Sequence, residues 1–183
     1  MLITVIVACE IGFWLVLAAG LVLRYPLRRP KPGAVVLACV PLVDLVLLVA
    51  TVLDLRGGAT ADGKHGLAAA YIGFSVAYGH SMVRWADGHF AHRFAGGPKP
   101  AGAPKYGRAR AVHEWRTLAR TALAAVIAVV LLQAAVWAVG DADRTDALTQ
   151  WQLRMAMITG INLVIAASYT IWPKREPAAA RRA

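Results

Sequence analysis

Long apolar runs alternate with short polar connections along this chain. Five runs have the character of membrane spans: residues 2–23, 33–55, 66–85, 117–139 and 151–172. Each is about 20 residues long, which at 1.5 Å of rise per residue crosses a hydrocarbon core of about 30 Å. Membrane strands would be about 10 residues with alternating polarity, and these runs show neither property. The pattern predicts an all-α fold: a polytopic integral membrane bundle of five transmembrane helices, one domain over 1–176, in the plasma membrane. Nothing basic precedes the first run, and Glu10 sits inside its apolar stretch, so it reads as a retained span rather than a signal peptide.

Composition agrees. The 183 residues are 58% hydrophobic and 16% charged, against about 45–50% and about 25% for a soluble domain. The net charge of +10 invites a nucleic-acid reading, but the positions of the cations argue against one. They gather in alternate connections. Arg24, Arg28, Arg29 and Lys31 follow the first run; Arg84, Arg93, Lys99, Lys105, Arg108, Arg110 and Arg116 follow the third; Lys174, Arg175, Arg181 and Arg182 follow the fifth. The other connections hold Arg56 and Lys64 with Asp54 and Asp62, and Arg144 with Asp141, Asp143 and Asp146. With five crossings every basic connection lies on one side, so the positive-inside rule predicts an outer N-terminus and an inner C-terminus.

Residues 86–116 form the longest polar stretch and read as a basic cytoplasmic loop broken by Gly96-Gly97-Pro98 and by Pro100 and Pro104. Tyr106 to Thr117 reads as a short helix entering the fourth span, with Arg110 and Glu114 as an i,i+4 pair. The bland role of this stretch is to snorkel toward anionic lipid head groups. Residues 177–183 read as a disordered tail.

Ionisable and amide groups inside the runs are the candidate chemistry, because each costs about 2.5–3.5 kcal/mol at mid-helix on insertion scales. By rise per residue, Glu10 lies roughly 12 Å below the outer face, Asn162 roughly 16 Å below it, and Asp44 roughly 16 Å above the inner face. All three therefore share a midplane layer. Pro41 predicts a kink beside Asp44 and a freed carbonyl near Leu37. Two carboxyls at one level are either a proton or cation site or a neutral, hydrogen-bonded pair that glues helices. Arg154 and Gln133 lie within roughly 6 Å of the outer face, and Arg154 either pairs with Glu10 or snorkels outward.

The third run carries Gly66, Ala70, Gly73, Ala77, His80, Arg84 and Asp87 at spacings of 4, 3, 4, 3, 4 and 3, one helix face. Its upper part is small and predicts close approach by another helix, with Ile72 and Val76 pointing elsewhere. Its lower part, His80, Arg84 and Asp87, is a polar ladder at the inner interface: an Arg84–Asp87 ion pair capping a packing seam, or a vestibule with a protonatable histidine. His89 and His92 continue the same helix. With His113 they are weak metal or haem candidates, since a metal needs three or four converging ligands. No metal or cofactor is predicted. Cys9 and Cys39 differ in depth by about 10 Å, too far for a disulfide, and read as packing residues.

The stretch from Gly66 to Asp87, with Phe90 to Phe94, Tyr106-Gly-Arg-Ala-Arg and Tyr169-Thr-Ile-Trp-Pro173, resembles a group of small multi-pass membrane proteins of actinobacteria. The resemblance implies a membrane bundle and brings no activity, ligand or functional residue with it. No nucleotide loop, nucleophile elbow or zinc-protease pair is present, which leans away from an enzyme. Three functions stay open: a proton- or cation-coupled transporter or channel-like homo-oligomer using the midplane acids; a scaffold or sensor contacting lipid or a partner through its basic loop; and a histidine-ligated cofactor protein.

Overall fold

The structure, a computed structural model, describes residues 2–61, 63–94 and 96–173; for residues 2–7, 9, 10 and 64 it describes the backbone alone. The described residues form six helices: α1 (Leu2–Arg24), α2 (Pro30–Ala38), α3 (Val40–Arg56), α4 (Gly63–Phe94), α5 (Gly107–Val139) and α6 (Ala142–Ile171). All five apolar runs fall in helices. Three rods are clearly long and apolar enough to cross a membrane: Pro30–Arg56, counting α2 and α3 together, Gly107–Val139 and Ala142–Ile171. The described apolar part of α1, Ile11–Arg24, is shorter. Helix α4 has the length, at 32 residues, but glycine, serine, tyrosine and His80 dilute its apolar part, and one face of it is small, with Gly66, Ala70 and Gly73.

Its position explains that composition. Helix α4 is the middle of the bundle and packs on α3, α5 and α6, while α1 packs on α2 and α3, and α5 packs most extensively on α6. A central helix needs small residues so that its neighbours can come close. Gly66, Ala70 and Gly73 are buried, as the spacing predicts, and Ala77 is half-buried. A Cβ on Gly73 would collide with the carbonyl oxygen of Ala124, and one on Gly66 would strike the Trp151 indole. Ile72 departs from expectation. It is buried in the core with Leu48, Leu55, Leu132 and Leu148, because α4 has partners on more than one side, whereas the small-residue spacing marks only one face.

Helix α5 buries Leu118, Thr121, Ala124, Ala125, Ala128, Leu132 and Ala135, a stripe at helical period. It ends at Gly140, whose φ of 70° is the left-handed conformation that glycine adopts without strain, and whose amide donates to the Val136 carbonyl at 3.0 Å. Asp141 then caps α6, accepting from the amides of Asp143 and Arg144 at 3.1 and 3.3 Å. Two residues thus suffice to reverse the chain.

The second rod is interrupted at Cys39 but continues through it: Cys39 keeps helical angles, φ −77° and ψ −16°, and Pro30–Arg56 runs on as one rod of 27 residues. Proline 41 has no N–H to offer the Leu37 carbonyl, so α2 stops at Ala38 and α3 restarts at Val40 with Pro41 in its first turn, where the missing donor costs nothing. Cys39 lies at the interruption. It is exposed and unbridged, with its thiol donating to the Val35 carbonyl at 3.3 Å, so it is a junction residue and not the buried packing residue expected. The Cys9 side chain lies outside the described residues.

The basic stretch is mostly helix. Residues 86–94 complete α4 and 107–116 open α5, as the reading of Tyr106 to Thr117 anticipated. Between them the irregular residues fold back on α4: the Gly97 amide donates to the Ala91 carbonyl at 3.0 Å, and a Cβ on Gly88 would meet Pro100 at 3.3 Å. The expected tail at 177–183 lies outside the described residues.

The α4–α5 seam is testable. Gly73→Leu should destabilise the bundle by about 1–3 kcal/mol through overpacking. Val76→Leu, at a side chain 58% exposed, should stay within about 0.5 kcal/mol of wild type. Unfolding in detergent micelles reads both, and equal stability of the two variants would contradict the close approach.

Candidate functional site

Helix α3 turns one stripe inward: Val40, Asp44, Leu48, Thr51 and Leu55, at spacings of 4, 4, 3 and 4. Asp44 is therefore buried by helical period, between two aliphatic neighbours one turn away on either side. It is 6% exposed, and its Oδ2 has no hydrogen-bond partner among the described residues. The hairpin of α1 and α2 is closely packed. A Cβ on Gly20 would meet Leu37 at 2.7 Å, and one on Gly33 would meet Arg24 at 2.7 Å. Helix α1 also packs on α3, the helix that carries Asp44. The Glu10 side chain lies outside the described residues, and so does the expected Glu10–Asp44 pair. A buried carboxylate oxygen without a donor is costly to keep away from water.

The rest of the expected midplane layer is dispersed. Asn162 belongs to α6, which packs on α5 and α4, and its amide donates to the Ile158 carbonyl of its own helix at 3.0 Å. Depth put Asn162 beside Asp44; the angular placement of α6 around the bundle separates them. Arg154 is exposed, with its guanidinium 5.0 Å from the Trp151 ring centre. Gln133 does not join it, and accepts instead from Gln152 at 3.1 Å, a partner that the sequence reading did not single out.

The lower ladder of α4 is also rearranged. Asp87 pairs with Arg24 at the end of α1, not with Arg84. The Arg24 Nε donates to Asp87 Oδ1 at 2.7 Å and its Nη2 to Oδ2, while Nη1 reaches the Pro30 carbonyl at 3.0 Å. Tyr25 adds a longer bond from its hydroxyl to Oδ1 at 3.3 Å. The fork of Arg24 holds the Asp87 carboxyl below its ordinary range, and burial, with Asp87 nearby, pushes the Tyr25 hydroxyl up. Tyr25 also rests on Phe90 at 4.6 Å between ring centres, and Phe90 on Phe94 at 4.7 Å. His80 and Arg84 are exposed. Sequence spacing offers only partners on the same helix, so Arg84 stood nearest; Arg24 is 63 positions away.

A second polar knot sits where α5 begins. Arg110 and Glu114 make the expected pair at 2.5 Å, Arg110 lies 4.9 Å from the Tyr169 ring centre, and the Trp115 indole donates to Thr170 at 2.9 Å. These contacts tie the start of α5 to the end of α6. The candidate metal histidines do not converge. His89 Nδ1 is 2.8 Å from the Trp85 carbonyl oxygen and His92 Nδ1 is 3.0 Å from that of Gly97. His113 is half-buried on α5. Among the described residues no three His, Cys, Asp or Glu side chains gather as a metal site would require.

Apolar rods around a small-residue central helix, with an orphaned carboxyl inside and a basic end, define a helical integral membrane protein. The uncharacterized membrane protein YmcC of Bacillus subtilis (strain 168) is 43% identical to this chain over 176 residues, covering 96% of the chain and 94% of that protein. The chain belongs to the family of that membrane protein. No protein-family model and no solved structure matches it. The relative comes from a Bacillus, so the likeness to membrane proteins stands while an actinobacterial origin gains no support.

The Arg24–Asp87 clamp has a pH signature. Because the folded carboxyl titrates below its ordinary value, its contribution to stability is fully present above the ordinary value of about 4 and is lost as pH falls through the lower folded one. Asp87→Asn should cost about 1 kcal/mol at neutral pH, the pair being partly exposed, and should flatten the acid limb of a stability–pH profile. An unchanged acid limb would show that the clamp contributes nothing.

Proposed function

We propose that this protein crosses the plasma membrane five times, with its N-terminus outside, and binds a proton or small cation at Asp44 whose passage it couples to transport, acting as a homo-oligomer. The observation that carries this reading is the buried carboxyl oxygen of Asp44, which has no hydrogen-bond partner among the described residues and lies in an apolar stripe. An acid in a membrane helix is costly unless it serves an ion pathway or finds a partner. Pro41 supports the reading, since a proline inside a membrane rod frees a backbone carbonyl one turn back. The charge pattern supports the threading: α4 and α5 carry their cations at the end where α1 delivers Arg24 to Asp87. Few helices per chain are available to enclose a path, which favours more than one copy.

Reconstituted vesicles with an imposed pH gradient test it, each monovalent cation being supplied in turn. Wild type should dissipate the gradient, and Asp44→Asn should lower the rate at least tenfold while leaving the bundle folded. Asp44→Leu should raise stability by about 1–3 kcal/mol, because it removes a buried polar group with no partner to lose. Wild-type flux no faster than that of Asp44→Asn would overturn the proposal. Destabilisation by Asp44→Leu would instead make the acid packing glue.

A further inference from the structure

We infer that the basic end of the bundle is a binding surface for the phosphate head groups of anionic lipids. It stands apart from the reading of Asp44. The acids at this end among the described residues, Asp87 and Glu114, are both consumed within the fold, by Arg24 and Arg110. Arg28, Arg29, Arg84, Arg93, Lys105 and Arg116 are exposed and have no acid opposite them there. The opposite end differs: Arg144 is held by Asp141 at 3.1 Å, and Asp54, Asp143 and Asp146 leave that end without a cationic surplus.

The contacts already described gather the surplus on one end. The Arg24–Asp87 clamp and the Tyr25–Phe90 contact draw the α1–α2 turn against the end of α4. The Tyr78 hydroxyl, 2.6 Å from that of Thr121 and donating to the Thr117 carbonyl at 3.2 Å, sets the start of α5 beside the same end. Helices α4 and α5, at 32 and 33 residues, are about 50 Å long and overrun a core of about 30 Å, so their basic turns emerge where head groups lie.

The aromatic residues select lipid over a soluble polyanion. Trp85, Phe94, Trp115 and Trp172 are exposed at this end, at 66%, 68%, 45% and 76%. Three of them directly adjoin a cation in sequence: Arg84 beside Trp85, Arg93 beside Phe94, Arg116 beside Trp115. Exposed indoles settle at the level of the head groups, which holds these guanidiniums within reach of lipid phosphates rather than out in solution. Guanidinium forks suit phosphate oxygens.

Native mass spectrometry of the full chain in micelles doped with phosphatidylglycerol or phosphatidylcholine tests the surface. Wild type should retain phosphatidylglycerol at least tenfold over phosphatidylcholine, and retention should fall with salt. Combining Arg84→Gln, Arg93→Gln and Arg116→Gln should erase the preference, whereas Arg56→Gln at the other end should keep it. Should the triple variant fail to fold, the three single variants carry the test, each lowering the preference about fivefold. Equal retention of both lipids by wild type would overturn the inference. So would a preference that survives all three substitutions, or one that millimolar inorganic phosphate or an oligonucleotide displaces completely.

Discussion

A bilayer gives apolar helices no hydrophobic reason to associate, so this bundle depends on how closely α5 can approach α4 at Gly73. No side chain fits there, since the Ala124 carbonyl occupies the place a Cβ would take. Dispersion between touching backbones replaces the driving force that water supplies in a soluble core. From that contact the remaining geometry follows. Ala128 and Ala125 come close to Ala70, Met155 closes over them from α6, and Ile72 is enclosed with Leu48 and Leu132. The small residues on one face of α4, Gly66, Ala70 and Gly73, are what lets it be central.

Polar groups in this bundle follow two regimes. Toward the ends they meet other side chains: Arg24 with Asp87, Arg110 with Tyr169 and Gln133 with Gln152 across helices, Arg110 with Glu114 and Arg144 with Asp141 within a turn, and Arg144 with the Leu55 carbonyl at 3.4 Å. Within the rods they fold back on their own backbone, as Asn162 does to Ile158 and Thr159 to Met155 at 2.9 Å. Asp44 fits neither regime: its Oδ2, like the Trp151 indole nitrogen and Arg110 Nε, is buried without a partner among the described residues, and it alone of the three is an acid. A short carboxyl one turn past a proline, on the buried stripe of a helix, has a position that packing alone does not require. That is why it carries the functional reading.

The charges divide in the same way. Among the described residues the acids near the basic end, Asp87 and Glu114, are absorbed by internal pairs, which leaves the exposed arginines there without an acid opposite them. An arginine held beside an exposed indole is placed to meet phosphate if the proposed lipid surface holds. The clamp at Asp87 and the surface around it are therefore linked: neutralising the acid internally is what keeps the external field positive.

Which runs become helices was legible in the sequence. Length, apolarity and proline position decide that locally: the interruption at Pro41, the continuation of α4 through His92, the helical opening of α5 and its Arg110–Glu114 pair all follow from neighbours within a turn or two. The burial of Asp44 is also periodic, since positions 40, 44, 48, 51 and 55 share a face. Tertiary structure decided what depth and spacing leave undetermined. Rise per residue gives a height in the membrane but no angle around the bundle, so Asn162 shared a layer with Asp44 on paper and lies on a helix packed elsewhere. Spacing along one helix names only partners on that helix, so Arg84 stood for Asp87 until α1 brought Arg24 across. A seam of small residues announces one neighbour and is silent about a second, so Ile72 pointed away until α3 and α5 enclosed it. Angle, cross-helix pairing and the number of neighbours are properties of the assembled bundle, and no local pattern encodes them.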